Sequence, residues 1–231
     1  MVIDKQNGEV AYADETHSYW NVNDNEKYIS VTTLIHSFTN PFDAQFWSAY
    51  KALELLLDSD AWKVEKKALL ATKKFSKDIL AAHNIDEDCF NKAQQKILDD
   101  WDKENRDACE RGTKIHAQLE KSMYDMGANV SLKKFGIGGK FVCQKSYGDL
   151  DAEFGVYPEY LISRTSDDGI LRIAGQIDLL VKNGNEITIV DYKSNKKIDL
   201  KSGFNTATKS TAKMYYPLNN LDDCNYYHYT M

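Results

Sequence analysis

Two acids, a lysine and a histidine carry the chemistry legible in this sequence. Asp191, Tyr192 and Lys193 close the segment Glu186-Ile187-Thr188-Ile189-Val190-Asp191-Tyr192-Lys193-Ser194. Alternation along a strand sends Asp191 and Lys193 to the face that carries Ile187 and Ile189. An acid and a lysine that follow a buried apolar pair are expected to face a site rather than plain solvent. The preceding segment, Gly175-Gln176-Ile177-Asp178-Leu179-Leu180, sets one more carboxylate in an apolar run. An Asn183-Gly184 turn pairs Lys182 with Asn185, puts Asp178 near Ile189 and leaves Asp191 one diagonal step away. Converging carboxylates with no arginine between them repel unless a cation separates them. A hard divalent ion suits them, since Mg²⁺ takes carboxylate, carbonyl and water oxygens. Lys193 adds a mobile cation able to hold a water or a phosphate oxygen. The blander alternative is a pair of strand-end acids with a salt-bridging lysine. Each acid alone fits that alternative, whereas the set favours a metal site.

Gly112, His116 and Glu120 recur every fourth residue, so His116 and Glu120 share a helix face. A lone helical histidine is commonly structural, but beside two strand carboxylates it becomes a fourth candidate ligand. Glu159, in Tyr157-Pro158-Glu159-Tyr160, reads equally as an edge-strand charge next to a proline or as an active-site acid.

These residues need a sheet and a helix to position them. Residues 156–163, 170–182 and 186–194 are rich in Ile, Val, Leu and Tyr, and the turns Asp167-Asp168-Gly169 and Asn183-Gly184-Asn185 separate them. They predict a three-stranded antiparallel meander. From Phe42 to Arg111 runs a stretch of 70 residues without Gly or Pro, which predicts helices broken near Asp58-Ser59-Asp60 and His83-Asn84-Ile85. Asp86 is the expected N-cap of the next helix, which should end near Glu110. The first forty residues read as β, with a hairpin about Asn23-Asp24-Asn25-Glu26, closed by Pro41. Residues 127–148, with Gly136, Gly138 and Gly139, read as a flexible loop, and residues 200–231 show no period.

The chain has 231 residues, 42% hydrophobic and 28% charged, which excludes disorder, collagen-like repeats and a disulfide scaffold. No apolar run spans a membrane, and Met1-Val2-Ile3-Asp4 lacks the order of a signal peptide. Cys89, Cys109, Cys143 and Cys224 are dispersed, so reduced thiols in a cytoplasmic compartment are expected. The net charge of −6 argues against a uniform basic coat. Locally the balance reverses: residues 182–213 hold seven lysines against three acids, and residues 63–77 hold six lysines against Glu65. On a helix Lys63, Lys66, Lys67, Lys73, Lys74 and Lys77 would form one face, read first as a solvated face and second as a phosphate-tracking one.

Gly112-x-x-x-His116-x-x-x-Glu120, Glu159, Gly175-x-x-Asp178 and Asp191-Tyr192-Lys193, in this order, resemble the PD-(D/E)XK nuclease superfamily. They are most similar to the branch of the RecB nuclease domain and phage exonucleases. Ser30-Val31-Thr32-Thr33-Leu34-Ile35 also looks like the opening of phage-encoded members. The resemblance implies an α+β fold with an α/β restriction-endonuclease-like core, a central mostly antiparallel sheet flanked by helices, and a helical N-terminal insertion. It implies His116, Asp178, Asp191 and the Tyr192 carbonyl as ligands of Mg²⁺ or Mn²⁺, and Lys193 as the group that positions the attacking water. Glu120 would support His116 or the lysine, and Glu159 would orient Lys193 or help hold a second ion. The expected division is 1–41 as a β-hairpin region, 42–106 as a helical region and 107–231 as the nuclease core. Only 38 residues, none of them Gln, follow Lys193, so the Gln-x-x-x-Tyr helix and last strand of this branch are expected to be missing. The implied function is a metal-dependent DNA nuclease, an exonuclease or DNA-end processing enzyme of phage type. It would act on DNA in the host cytoplasm, with other phage or recombination proteins as further partners. The alternative is an inactive nuclease-fold module for DNA binding or assembly.

Overall fold

Polar turns between short alternating segments build the start of the chain. In this computed structural model, which describes residues 5–195, 197–205 and 209–231, four strands form an antiparallel meander. They are β1 (Lys5–Asn7), β2 (Val10–Ala13), β3 (Ser18–Asn21) and β4 (Lys27–Ser30). Residues 1–4, read above for a leader, and Lys196, counted above among the lysines, lie outside the described residues. The β character does not persist to Pro41. Ser30 caps α1 (Val31–His36), its Oγ accepting the Thr33 N–H at 3.0 Å. A hydroxyl at the N-cap outweighs the β preference of Val31, Thr32 and Thr33.

The predicted meander forms as β6 (Phe154–Thr165), β7 (Arg172–Asn183) and β8 (Glu186–Val190). β5 (Val142–Cys143) adds to β6 in parallel, and the sheet order is β1-β2-β3-β4-β7-β6-β5 with β8 on β7. β6 takes one edge of β7 along its length. The other edge is shared, with β4 parallel at Ile173 and Ala174 and β8 antiparallel from Leu179 to Asn183. Residues 175–178 lie between the two partners. A Cβ on Gly175 would sit 3.1 Å from Val31 Cγ2, so the glycine lets the start of α1 close over this stretch.

Two expectations about β8 are corrected. The strand stops at Val190, short of the acid–lysine pair, and Ile187 and Ile189 are 55% and 65% exposed rather than a buried pair. β8 pairs only with β7 among the described residues, so its side chains lack cover. The turn is also displaced by one residue. Asn183 pairs with Glu186 across Gly184-Asn185, with Gly184 at φ 62°. Leu179 opposes Val190, which makes Asp178 and Asp191 the next opposed positions rather than a diagonal pair.

Residues 127–148 are no mere loop. Val130 and Phe141 exchange both main-chain hydrogen bonds at 2.9 Å. Val130, Leu132 and Phe141 are buried with Met123, Val156, Leu179 and Val181. An irregular backbone hides such core residues from any test of periodicity.

The chain divides into two units, Met1–Ser37 with Arg111–Asn195, and Phe38–Glu110 with Lys196–Met231. The first holds the curled, mostly antiparallel sheet of the expected α+β arrangement. The second holds α2 (Ala44–Leu56), α3 (Ser59–Thr72), α4 (Asp78–Ala82) and the first part of α5 (Glu87–Met126). Its core is Phe46, Tyr50, Leu53, Leu69, Leu80 and Phe90. Both expected helix breaks form, Asp58 Oδ1 accepting the Asp60 and Ala61 N–H groups and Asp86 Oδ1 that of Cys89 at 2.9 Å, and a third, not expected, falls at residues 73–77 between α3 and α4. β9 (Phe204–Asn205), β10 (Ser210–Thr211) and α6 (Asn225–Thr230) complete it.

The six-lysine helix face does not form. α3 ends at Thr72, and Lys73 turns left-handed at φ 54° with its ammonium 4.0 Å from the Trp47 ring centroid. Lys63 pairs with Asp60, and Lys77 with Glu87. Nor does a helix end near Glu110, since α5 runs through Gly112 for 40 residues. One interior glycine costs a helix only about 1 kcal/mol, too little to end it. Among the described residues no helix is long and apolar enough to cross a membrane.

Candidate metal centre

Three elements of the sheet unit converge on one point. α5 supplies His116, β6 supplies Glu159 and β7 supplies Asp178, with one ligand atom of each lying within 4.8 Å of the others. Register accounts for the acids. Pro158 pairs with Leu179 and Tyr160 with Ile177, so Glu159 and Asp178 stand opposite each other. They are omitted from the ladder because Glu159 is left-handed, at φ 47°. A non-glycine residue in that region is costly and concentrates at functional sites.

His116 Nδ1 lies 3.3 Å from Glu159 Oε1 and 3.6 Å from Asp178 Oδ1. Its Nε2 lies 3.2 Å from the Tyr192 carbonyl oxygen. A carbonyl only accepts, so Nε2–H donates there, and in neutral imidazole the Nδ1 lone pair faces the carboxylates. Asp178 Oδ2 accepts the Tyr192 N–H at 2.5 Å. Tyr192 thereby fixes both a candidate ligand and the orientation of the histidine.

The acidic charges are only partly compensated. Burial, and then the neighbouring Asp178 charge, push the Glu159 carboxyl above the usual range against the pull of His116 and Lys5. Asp178 is raised first by burial and further by Asp191, opposed by the Tyr192 N–H, His116 and Lys193. Two desolvated carboxylates and one imidazole nitrogen, facing each other at ligand spacing, fit a divalent cation that also accepts water or phosphate oxygens.

The remaining expected residues take other places. Asp191 stands outside the three-residue cluster, paired with Lys193 Nζ at 2.7 Å. That pair follows β8 directly and acts electrostatically on Asp178. The Tyr192 carbonyl is engaged by His116. Glu120, one turn beyond His116 on α5, lies 4.0 Å from Lys5 Nζ. Lys5 and Gln176 were not foreseen. Lys5 Nζ donates to the Glu159 carbonyl at 3.3 Å, and Gln176 Nε2 donates to it at 3.4 Å. Gln176, two residues before Asp178, was open to strand alternation. Lys5, 154 residues from Glu159, left no local signal.

A scan against family models matches the PD-(D/E)XK nuclease superfamily over residues 51–215. Searches of curated proteins and of solved structures gave no significant match. The matched span is well over half the chain and includes His116, Glu159, Asp178, Asp191 and Lys193. Nucleases of this superfamily use divalent metal ions on nucleic acid, and a histidine–carboxylate cluster suited to such an ion lies within that span. This chain belongs to the PD-(D/E)XK nuclease superfamily.

Proposed function

We propose that the chain is a deoxyribonuclease that uses Mg²⁺ or Mn²⁺, of the exonuclease or DNA-end processing type found in phage. The observation that carries this reading is the convergence of His116, Glu159 and Asp178 within 4.8 Å, with the Lys193–Asp191 pair beside them. The order of the motifs, similar to the RecB and phage exonuclease branch, supports the choice of DNA.

In this reading His116 Nδ1, Asp178 and Glu159 would hold the ion, with Asp191, at the start of the segment after β8, as a further acid. When bound, the ion acidifies a water and neutralises phosphate charge. Lys193 would orient an attacking water through its ammonium and balance the charge that develops on the phosphate oxygens. Asp191 keeps the Lys193 ammonium beside Asp178 until a phosphate takes its place. Burial of Glu159 and Asp178 keeps bulk water from the carboxylates and strengthens their hold on a cation.

The test is cleavage of end-labelled linear DNA and of circular DNA with Mg²⁺, Mn²⁺ or EDTA. Linear DNA should be degraded from its ends with either metal and spared in EDTA. Lys193→Ala should lose activity by about 100-fold or more, as for other transition-state charge stabilisers, while still binding DNA. Undiminished cleavage by Lys193→Ala would overturn the role of the lysine. Binding without cleavage by the unmodified chain would assign it instead to an inactive DNA-binding or assembly module.

A further inference from the structure

Glu159 poses a problem that its own strand does not solve. Its left-handed conformation, at φ 47°, withdraws it from the β6–β7 ladder exactly where its carboxylate is needed. The carbonyl released from the ladder must find another donor. It finds two, the Lys5 ammonium at 3.3 Å and the Gln176 side-chain amide at 3.4 Å. Lys5 is partly buried, its side chain 17% exposed, and also lies 4.0 Å from Glu120 Oε1. It comes from β1, the far end of the sheet order, brought against β6 by a second tie. Asn7 Nδ2 donates to the Leu161 carbonyl at 2.9 Å, the same two-residue step along each strand.

We propose that Lys5 is a positioning residue of the metal centre. By holding the Glu159 carbonyl and facing the Glu120 carboxylate, it keeps the Glu159 side chain turned toward His116 and Asp178. It touches neither ion nor substrate and acts through Glu159. This rests on reading the His116–Glu159–Asp178 cluster as the metal site.

Mn²⁺ binding to the full chain, followed by calorimetry, tests it without relying on cleavage. Lys5→Met should raise the Kd by about tenfold, the usual order for a residue that orients a ligand. Lys5→Arg, which keeps the cation, should restore most of that loss. In a Glu159→Gln background, Lys5→Met should add nothing, because its effect passes through the carboxylate already removed. Circular dichroism melts on the same variants separate loss of fold from loss of affinity. An unchanged Kd in Lys5→Met, or fully additive losses in the double variant, would overturn the positioning role alone. Absence of Mn²⁺ binding by the unmodified chain would overturn the metal-site reading and the positioning role with it.

Discussion

Tyr192 lends its main chain to the metal centre and its side chain to the core. Its N–H and carbonyl hold Asp178 and His116, while its ring lies 5.9 Å from that of Phe135. The hydroxyl is buried with no hydrogen-bond partner among the described residues, and burial pushes its pKa up to about 12. A buried polar group without a partner costs about 1–3 kcal/mol. Tyr192→Phe keeps the ring and both main-chain bonds, so it should stabilise the protein by about 1 kcal/mol, seen as a higher urea midpoint at unchanged slope. At this scale the sequence disclosed the residues that sit close together along the chain. Asp178 and Asp191 flank one short hairpin, and alternation with a turn rule brings them opposite within one residue. His116 showed itself only through its spacing to Gly112 and Glu120, and Lys5 not at all, because nothing local ties a strand-end lysine to a carbonyl 154 residues away.

At the scale of elements, helix caps and turn chemistry were readable, whereas element ends were set by contacts the sequence does not display. Asp58 and Asp86 cap helices as their position predicts. β8, by contrast, ends once Tyr192 turns its N–H toward Asp178, an interaction across the sheet. α5 illustrates the opposite case, a helix end expected near Glu110 where the helix runs on to Met126. A Cβ on Gly112 would meet nothing within 4 Å. Gly112→Ala should therefore stabilise the protein by about 0.5–1 kcal/mol through helix propensity and a less disordered unfolded chain. Thermal melting followed by helical dichroism would register it, and a destabilised variant would show that the glycine serves a close approach.

For the whole molecule, the local lysine excesses weaken once structure is added. Lys193, Lys197 and Lys213 pair with Asp191, Asp199 and Asp222, as Lys63 and Lys77 do with acids of their own. The larger electrostatic lever is the acidic centre. A cation bound only by the folded state at 100 times its Kd adds about 2.7 kcal/mol of stability. Saturating Mn²⁺ should raise the melting temperature, EDTA should reverse the rise, and Asp178→Asn should abolish it. The tie from Lys5 to Glu159 has a kinetic side as well. It closes a loop of 154 residues, and contacts of such separation form only after local hairpins have offset the loss of chain entropy. The β1–β2 hairpin is local and forms early, so what is expected late in folding is the docking of β1 on β6. The centre it braces is then expected to be completed only after the long β6–β7 ladder is in place.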